Sequence, residues 1–175
     1  MLKRYKKFLD EFDRELAELT LSQKSYLKCK KGCAECCQNG DYPFSRLEME
    51  YLMSGFLTLP ENIKQQIRLN ISGIKDKNNY TCPFLINNLC SLYNYRGIVC
   101  RTHGLAYLYN GAIKLPECAN NGKNYNEIYN KETKEIVIEN PIKNSLRTDD
   151  VLKSPLAEKY QLEAGEIRKL IDWFN

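Results

Sequence analysis

The chain has 175 residues, 43% hydrophobic and 27% charged, with 26 basic against 22 acidic side chains and a formal net charge of +4. Disordered and collagenous classes are excluded by the apolar content and by only nine glycines. A membrane-spanning class is excluded by the lack of any run of about 18 apolar residues. The expectation is a single domain over residues 1–175, long enough to bury roughly 70% of its unfolded surface without crosslinks, so its eight cysteines call for another explanation.

The opening residues Met1 to Asp10 never form an uninterrupted apolar stretch, and no small-residue cleavage site follows. The reading is a cytoplasmic protein. In a reducing compartment clustered thiols are more often metal ligands or redox catalysts than structural disulfides.

In chain order, Tyr5, Phe8, Leu9, Phe12, Leu16 and Leu19 recur in steps of three or four, predicting an amphipathic helix over residues 2–27. The basic group Lys3, Arg4, Lys6 and Lys7 is followed at once by acidic residues, which reads as a solvated helix face rather than a nucleic-acid or membrane arm. Cys29, Cys33, Cys36 and Cys37 come next. Ser45-Arg46-Leu47-Glu48 is a capping box opening a helix to about Leu57. Pro60 starts another helix, with Ile63, Ile67 and Ile71 spaced by four.

Residues 75–80 read as a polar loop. Asn110-Gly111, flanked by Leu105–Tyr109 and Ala112–Leu115, predicts a β-hairpin near residues 105–115. Glu135 to Glu139 could form a short strand. Ser154 is placed to cap a closing helix over about residues 155–174, with Tyr160, Ala164, Ile167, Leu170, Ile171 and Phe174 facing inward. The fold class expected is mainly α, an α+β arrangement in which a small helical domain is knit by metal.

The cysteines fall into two groups of four along the chain: Cys29, Cys33, Cys36, Cys37 and Cys82, Cys90, Cys100, Cys118. On a helical turn Cys33 would share a face with Cys36 and Cys37, and Gly32 would let the backbone bend so that Cys29 folds in. The adjacent pair Cys36–Cys37 diverges by about 100° on a helix and so could serve two different metals. Cys118 stands furthest from the rest. Thiolate donors select zinc or iron–sulfur clusters over magnesium or calcium. The second group matches neither the Cys-x2-Cys pairs of a zinc ribbon nor the run of a bacterial ferredoxin.

Cys33-Ala34-Glu35-Cys36-Cys37, Cys82-Pro83-Phe84-Leu85, Cys90-Ser91-Leu92-Tyr93 and Arg96-Gly97-Ile98-Val99-Cys100-Arg101 together resemble the CxxCxxCC, or YkgJ-type, family of zinc- or iron-chelating domains. The resemblance spans about residues 29–118. Two departures are local: three residues rather than two separate Cys29 from Cys33, and Gly97 stands where the family usually has proline. The resemblance implies a metal site built by cysteines of both groups. Some larger relatives resemble lysine N-methylases acting on flagellin, which keeps an enzymatic reading open.

All eight cysteines are therefore candidate ligands for Zn2+ or an iron–sulfur cluster. A tetrathiolate centre is anionic, and Arg101, directly after Cys100, is the candidate donor of a compensating N–H to sulfur. Lys28, Lys30 and Lys31 around Cys29 read as solvated. His103, the sole histidine, is a candidate member of the same surroundings. Beyond the metal ion, a protein partner is left open, while nucleic acid and membrane are not expected. Two alternatives remain beside metal chelation. One is an enzyme, a lysine N-methylase-like or redox catalyst, with an open coordination position in a pocket beside Arg101 and His103. The other is a metal-delivery module.

Overall fold

The computed structural model describes residues 1–30, 32–38, 42–130, 132–133, 135–136, 138 and 145–174. Helix α1 (Leu2–Ser22) buries Tyr5, Phe8, Leu9, Phe12 and Leu16, the face the periodicity selects. The outer face carries ions such as the Lys6–Asp10 pair at 2.7 Å. The helix ends earlier than residue 27. At Gln23 the side chain turns fully inward, and a 3-10 turn, Lys24–Tyr26, takes over.

After the short helix α2 (Glu35–Gln38) and strand β1 (Pro43–Ser45) comes α3 (Arg46–Thr58). It begins at the expected capping box: Ser45 Oγ accepts from Glu48 N, and Glu48 accepts from Ser45 N. α3 is buried on both flanks. Leu47 and Tyr51 meet α1, whereas Met49, Leu52 and Phe56 meet the second core. Helix α4 (Glu61–Ser72) presents Ile67 to that second core, as the spacing of its isoleucines requires.

Next come a tight hairpin of β2 (Leu85–Ile86) with β3 (Leu89–Cys90), helix α5 (Ile98–Thr102), and a second hairpin of β4 (Tyr107–Tyr109) with β5 (Ala112–Lys114). The second hairpin is the expected one. Its turn places Asn110 at φ 51° and Gly111 at φ 75°, the left-handed pair that a two-residue turn needs. Then follow α6 (Glu117–Asn120), β6 (Tyr129–Asn130) paired with β7 (Glu135–Ile136), α7 (Thr148–Val151), α8 (Pro155–Lys159) and β8 (Ile167–Lys169). The expected strand at 135–139 is thus present over its first two residues; Val137 and Glu139 lie outside the described residues. The mainly helical α+β class holds.

The closing helix expected over 155–174 is a correction. Ser154 caps it, accepting from Ala157 N, but the helix stops at Lys159. Gln161 and Gly165 then adopt φ of 48° and 70°, and β8 pairs antiparallel with β1 (Pro43↔Lys169). The cause is tertiary. The first N–H groups of any helix lack internal partners, and here Arg46 N donates to Glu166 O at 2.8 Å and Leu47 N to Ala164 O at 3.1 Å. An extended segment over α3 satisfies donors that a helix could not reach. A 3-10 turn, Leu170–Phe174, follows and buries Leu170 and Ile171, two of the residues expected to face inward, while Ile167 is exposed.

Three clusters form the core. The first joins α1, α3, Ile98, Leu105, Leu146 and α7–α8, with Tyr5, Phe8 and Phe12 stacked at centroid spacings of 5.8 and 5.7 Å. The second gathers Phe44, Met49, Leu52, Phe56, Ile67, Phe84, Leu92 and Leu170, and against it pack Cys82, Cys90 and Cys100. The third is Ala106, Ala119 and Tyr125. Each large apolar side chain so buried contributes on the order of 1.5–3 kcal/mol. Among the described residues no helix is long and apolar enough to cross a membrane.

Candidate metal centre

The thiols regroup in space across their order in the chain. All eight are free. Helix α2 carries Cys36 and Cys37, whose sulfurs stand 3.8 Å apart. Cys82 is delivered to Cys37 by the backbone, since Cys82 N donates to Cys37 O at 2.7 Å. Cys90 is delivered by the β2–β3 hairpin, where it sits opposite Leu85. That hairpin turns on Asn87 and Asn88, both left-handed at φ 51° and 58°. Asn-Asn between Leu-Ile and Leu-Cys is the signal by which the sequence could have disclosed it. Cys100 comes from α5.

Electrostatics traces the same neighbourhood. Cys37 is held at about 12: the contact with Cys36 lowers it, but the Cys82 thiol and burial outweigh that, with Cys90 adding to the rise. Burial pushes the Cys100 thiol well up, and the charges of Cys37, Cys90 and Cys36 raise it more. Cys90 is raised by burial and by Cys36, while the Leu92 N–H and Arg96 pull the other way. Cys36 is raised by its contact with Cys37 and then by burial.

The second neighbourhood is Cys29, Cys33 and Cys118. Cys118 is pushed up to about 11 by burial, then by Cys29 and Cys33. Cys29 is raised by burial and lowered by Asn124, and it feels Cys33 and Cys36. Cys36 therefore borders both groups. Cys33 precedes α2 rather than sharing its face: Cys33 N closes a turn on Lys30 O at 2.9 Å, with Gly32 at φ 87°, the bend expected of that glycine. Cys118, the outlier in sequence, belongs beside Cys29.

A buried polar frame holds the second group. Asn124 Nδ2 donates to Cys29 Sγ at 3.3 Å and to Gly104 O at 3.1 Å, while its Oδ1 accepts from Lys28 N at 2.9 Å. Gly104, at φ 101°, stands close against Cys29: a Cβ there would lie 3.2 Å from its Sγ. Next to Asn124, Tyr125 is left-handed at φ 59°, a costly conformation outside glycine. Its hydroxyl accepts from Ala106 N at 2.6 Å and donates to Gln23 Oε1. No local pattern in the sequence marks Asn124, Tyr125 or Gln23, because their partners lie up to a hundred residues away.

The candidate charges settle elsewhere. The Arg101 guanidinium is paired with Asp13 of α1 and donates to Arg96 O at 2.9 Å and Asn94 O at 3.3 Å, which ties α1 to the loop before α5. Arg96 is the cation acting on Cys36 and Cys90, and it lies 3.8 Å above the Tyr93 ring. Lys28 reaches Glu127 at 3.3 Å on the surface; Lys31 lies outside the described residues. His103 Nδ1 is 3.3 Å from the Tyr42 hydroxyl. Burial raises the Tyr42 hydroxyl, and Cys36, Cys100, Cys37 and Cys118 raise it further, so this tyrosine faces both thiol neighbourhoods.

Among the described residues no three Cys, His, Asp or Glu side chains stand around one point as a finished coordination sphere. The donor chemistry nevertheless fits zinc or iron. The set is soft sulfur throughout. Fold and thiols together define a cysteine-cluster, metal-chelating domain. The chain belongs to the CxxCxxCC family, described as "Putative zinc- or iron-chelating domain", whose model matches residues 28–134. No curated protein and no solved structure matches the chain.

Proposed function

We propose that the chain binds zinc or iron at two adjoining thiolate sites, with Cys37, Cys82, Cys90 and Cys100 holding one centre and Cys29, Cys33, Cys36 and Cys118 the other. The observation that carries this reading is that Cys82 N donates to Cys37 O at 2.7 Å, while Cys82, Cys90 and Cys100, far from Cys37 in the chain, pack against one core cluster. Bound metal supplies a crosslink between those segments, so its binding energy becomes folding energy. Arg96 offsets the negative charge of the first centre, and Asn124 donates to sulfur at the second. The setting is cytoplasmic, where thiols stay reduced.

Two experiments test it. Metal analysis of the purified chain gives the number of ions, and Cys→Ser changes assign them: Cys100→Ser is expected to lose the first centre and Cys118→Ser the second. Retention of all metal by both variants would overturn the assignment. A second reading, catalysis at an open coordination position, draws on a cavity lined by Tyr42 and His103, although no cysteine is among its described lining residues. Arg101, buried in its pair with Asp13, does not line it. Transfer of metal to a chelator with the fold intact would instead favour delivery.

A further inference from the structure

A cavity of about 610 Å³ is lined in part by Gly104, the glycine that stands against Cys29. Its wall is largely apolar, with Val99, Leu105, Leu115 and Leu146 among its lining residues. Against that wall stand two opposite charges. Arg147 Nε donates to Asp149 Oδ1 at 3.1 Å, and both side chains remain about half exposed. The guanidinium is steadied over the Tyr109 ring, 4.8 Å from its centroid. Between them in sequence, Thr148 is buried in the same lining, and its hydroxyl has no hydrogen-bond partner among the described residues. A buried hydroxyl without a partner costs on the order of 1–3 kcal/mol.

We propose that this cavity binds a small zwitterion with an apolar body, the class of the branched and aromatic α-amino acids. The charge pair selects that class. A ligand bearing only a carboxylate must displace Asp149 from Arg147 and leave the aspartate unpaired, and a ligand bearing only an ammonium leaves the arginine unpaired. A zwitterion satisfies both, its carboxylate on Arg147 and its ammonium on Asp149, while its side chain lies on the apolar wall. The site does not depend on which metal the thiols hold, and so it goes beyond the metal reading.

The test is calorimetric titration of the full chain with L-phenylalanine and L-leucine, set beside 3-phenylpropionate and phenethylamine, with metal content measured on the same sample. Saturable binding of the amino acids is expected, weakened at least about tenfold when either charge is missing from the ligand. Arg147→Ala and Asp149→Asn should weaken L-phenylalanine similarly with metal content unchanged. Equal binding of 3-phenylpropionate, or no binding of either amino acid by folded chain, overturns the proposal. A metal-loaded chain that binds no amino acid leaves the metal centres standing; amino-acid binding by a folded chain unable to take up metal overturns the metal reading alone.

Discussion

The Glu48 carboxylate accepts the backbone N–H of Ile98 at 2.8 Å, joining the first turn of α3 to the first residue of the helix that carries Cys100. Glu48 is fully buried, and its other oxygen accepts from Ser45 N and Ser45 Oγ, both at 2.8 Å. A residue that the sequence marks as a helix cap is thus also the anchor of a thiol-bearing segment. Gly97 permits the approach, because a Cβ there would lie 2.7 Å from Phe44 and 2.8 Å from Glu48 Oε1.

Glu48→Ala therefore strands the Ile98 and Ser45 donors in the interior. It should cost at least about 2 kcal/mol of unfolding free energy, measured by urea denaturation, and should loosen metal at Cys100. An unchanged midpoint would mean that water reaches these donors.

The same carboxyl carries a pH signature. Burial raises its pKa above the ordinary value of 4.5, outweighing the Ser45 and Ile98 hydrogen bonds and Arg101. The fold then favours the protonated form, so the contribution is full below about 4.5 and is lost as pH rises through the elevated value. Stability relative to Glu48→Gln should decline across that window, checked by denaturation at a series of pH values; a difference independent of pH would contradict it.

Gly104→Ala would force a Cβ to 3.1 Å from Asn124 Nδ2 and 3.2 Å from Cys29 Sγ at a left-handed φ. The expected loss is about 1–3 kcal/mol, together with metal from the second centre and not the first. Asn124→Ala, which removes the donor without crowding, should weaken the second centre with a smaller cost in stability. Thermal melts and metal content of both variants check this.

What the sequence disclosed was local, and what it withheld was long-range. The face of α1, the Ser45 cap and the Asn110-Gly111 turn rest on periodicity and turn chemistry that neighbouring residues dictate. The helix expected to residue 174 ends at Lys159 because the α3 N–H groups of Arg46 and Leu47 draw residues 164–166 into extended form, a demand from more than a hundred residues away. Likewise the eight thiols are evident, but the partition we propose is not: Cys118 with Cys29 and Cys33, and Cys82, Cys90 and Cys100 with Cys37. Chain order carries no trace of that exchange.

The most direct test of the central claim is the metal-to-protein ratio of chain purified without oxygen and without a metal-affinity tag, read by elemental analysis with acid-labile sulfide. Stoichiometric zinc, or iron with sulfide, is expected at about two centres per chain. A folded chain holding neither metal, with eight freely reactive thiols, would contradict it.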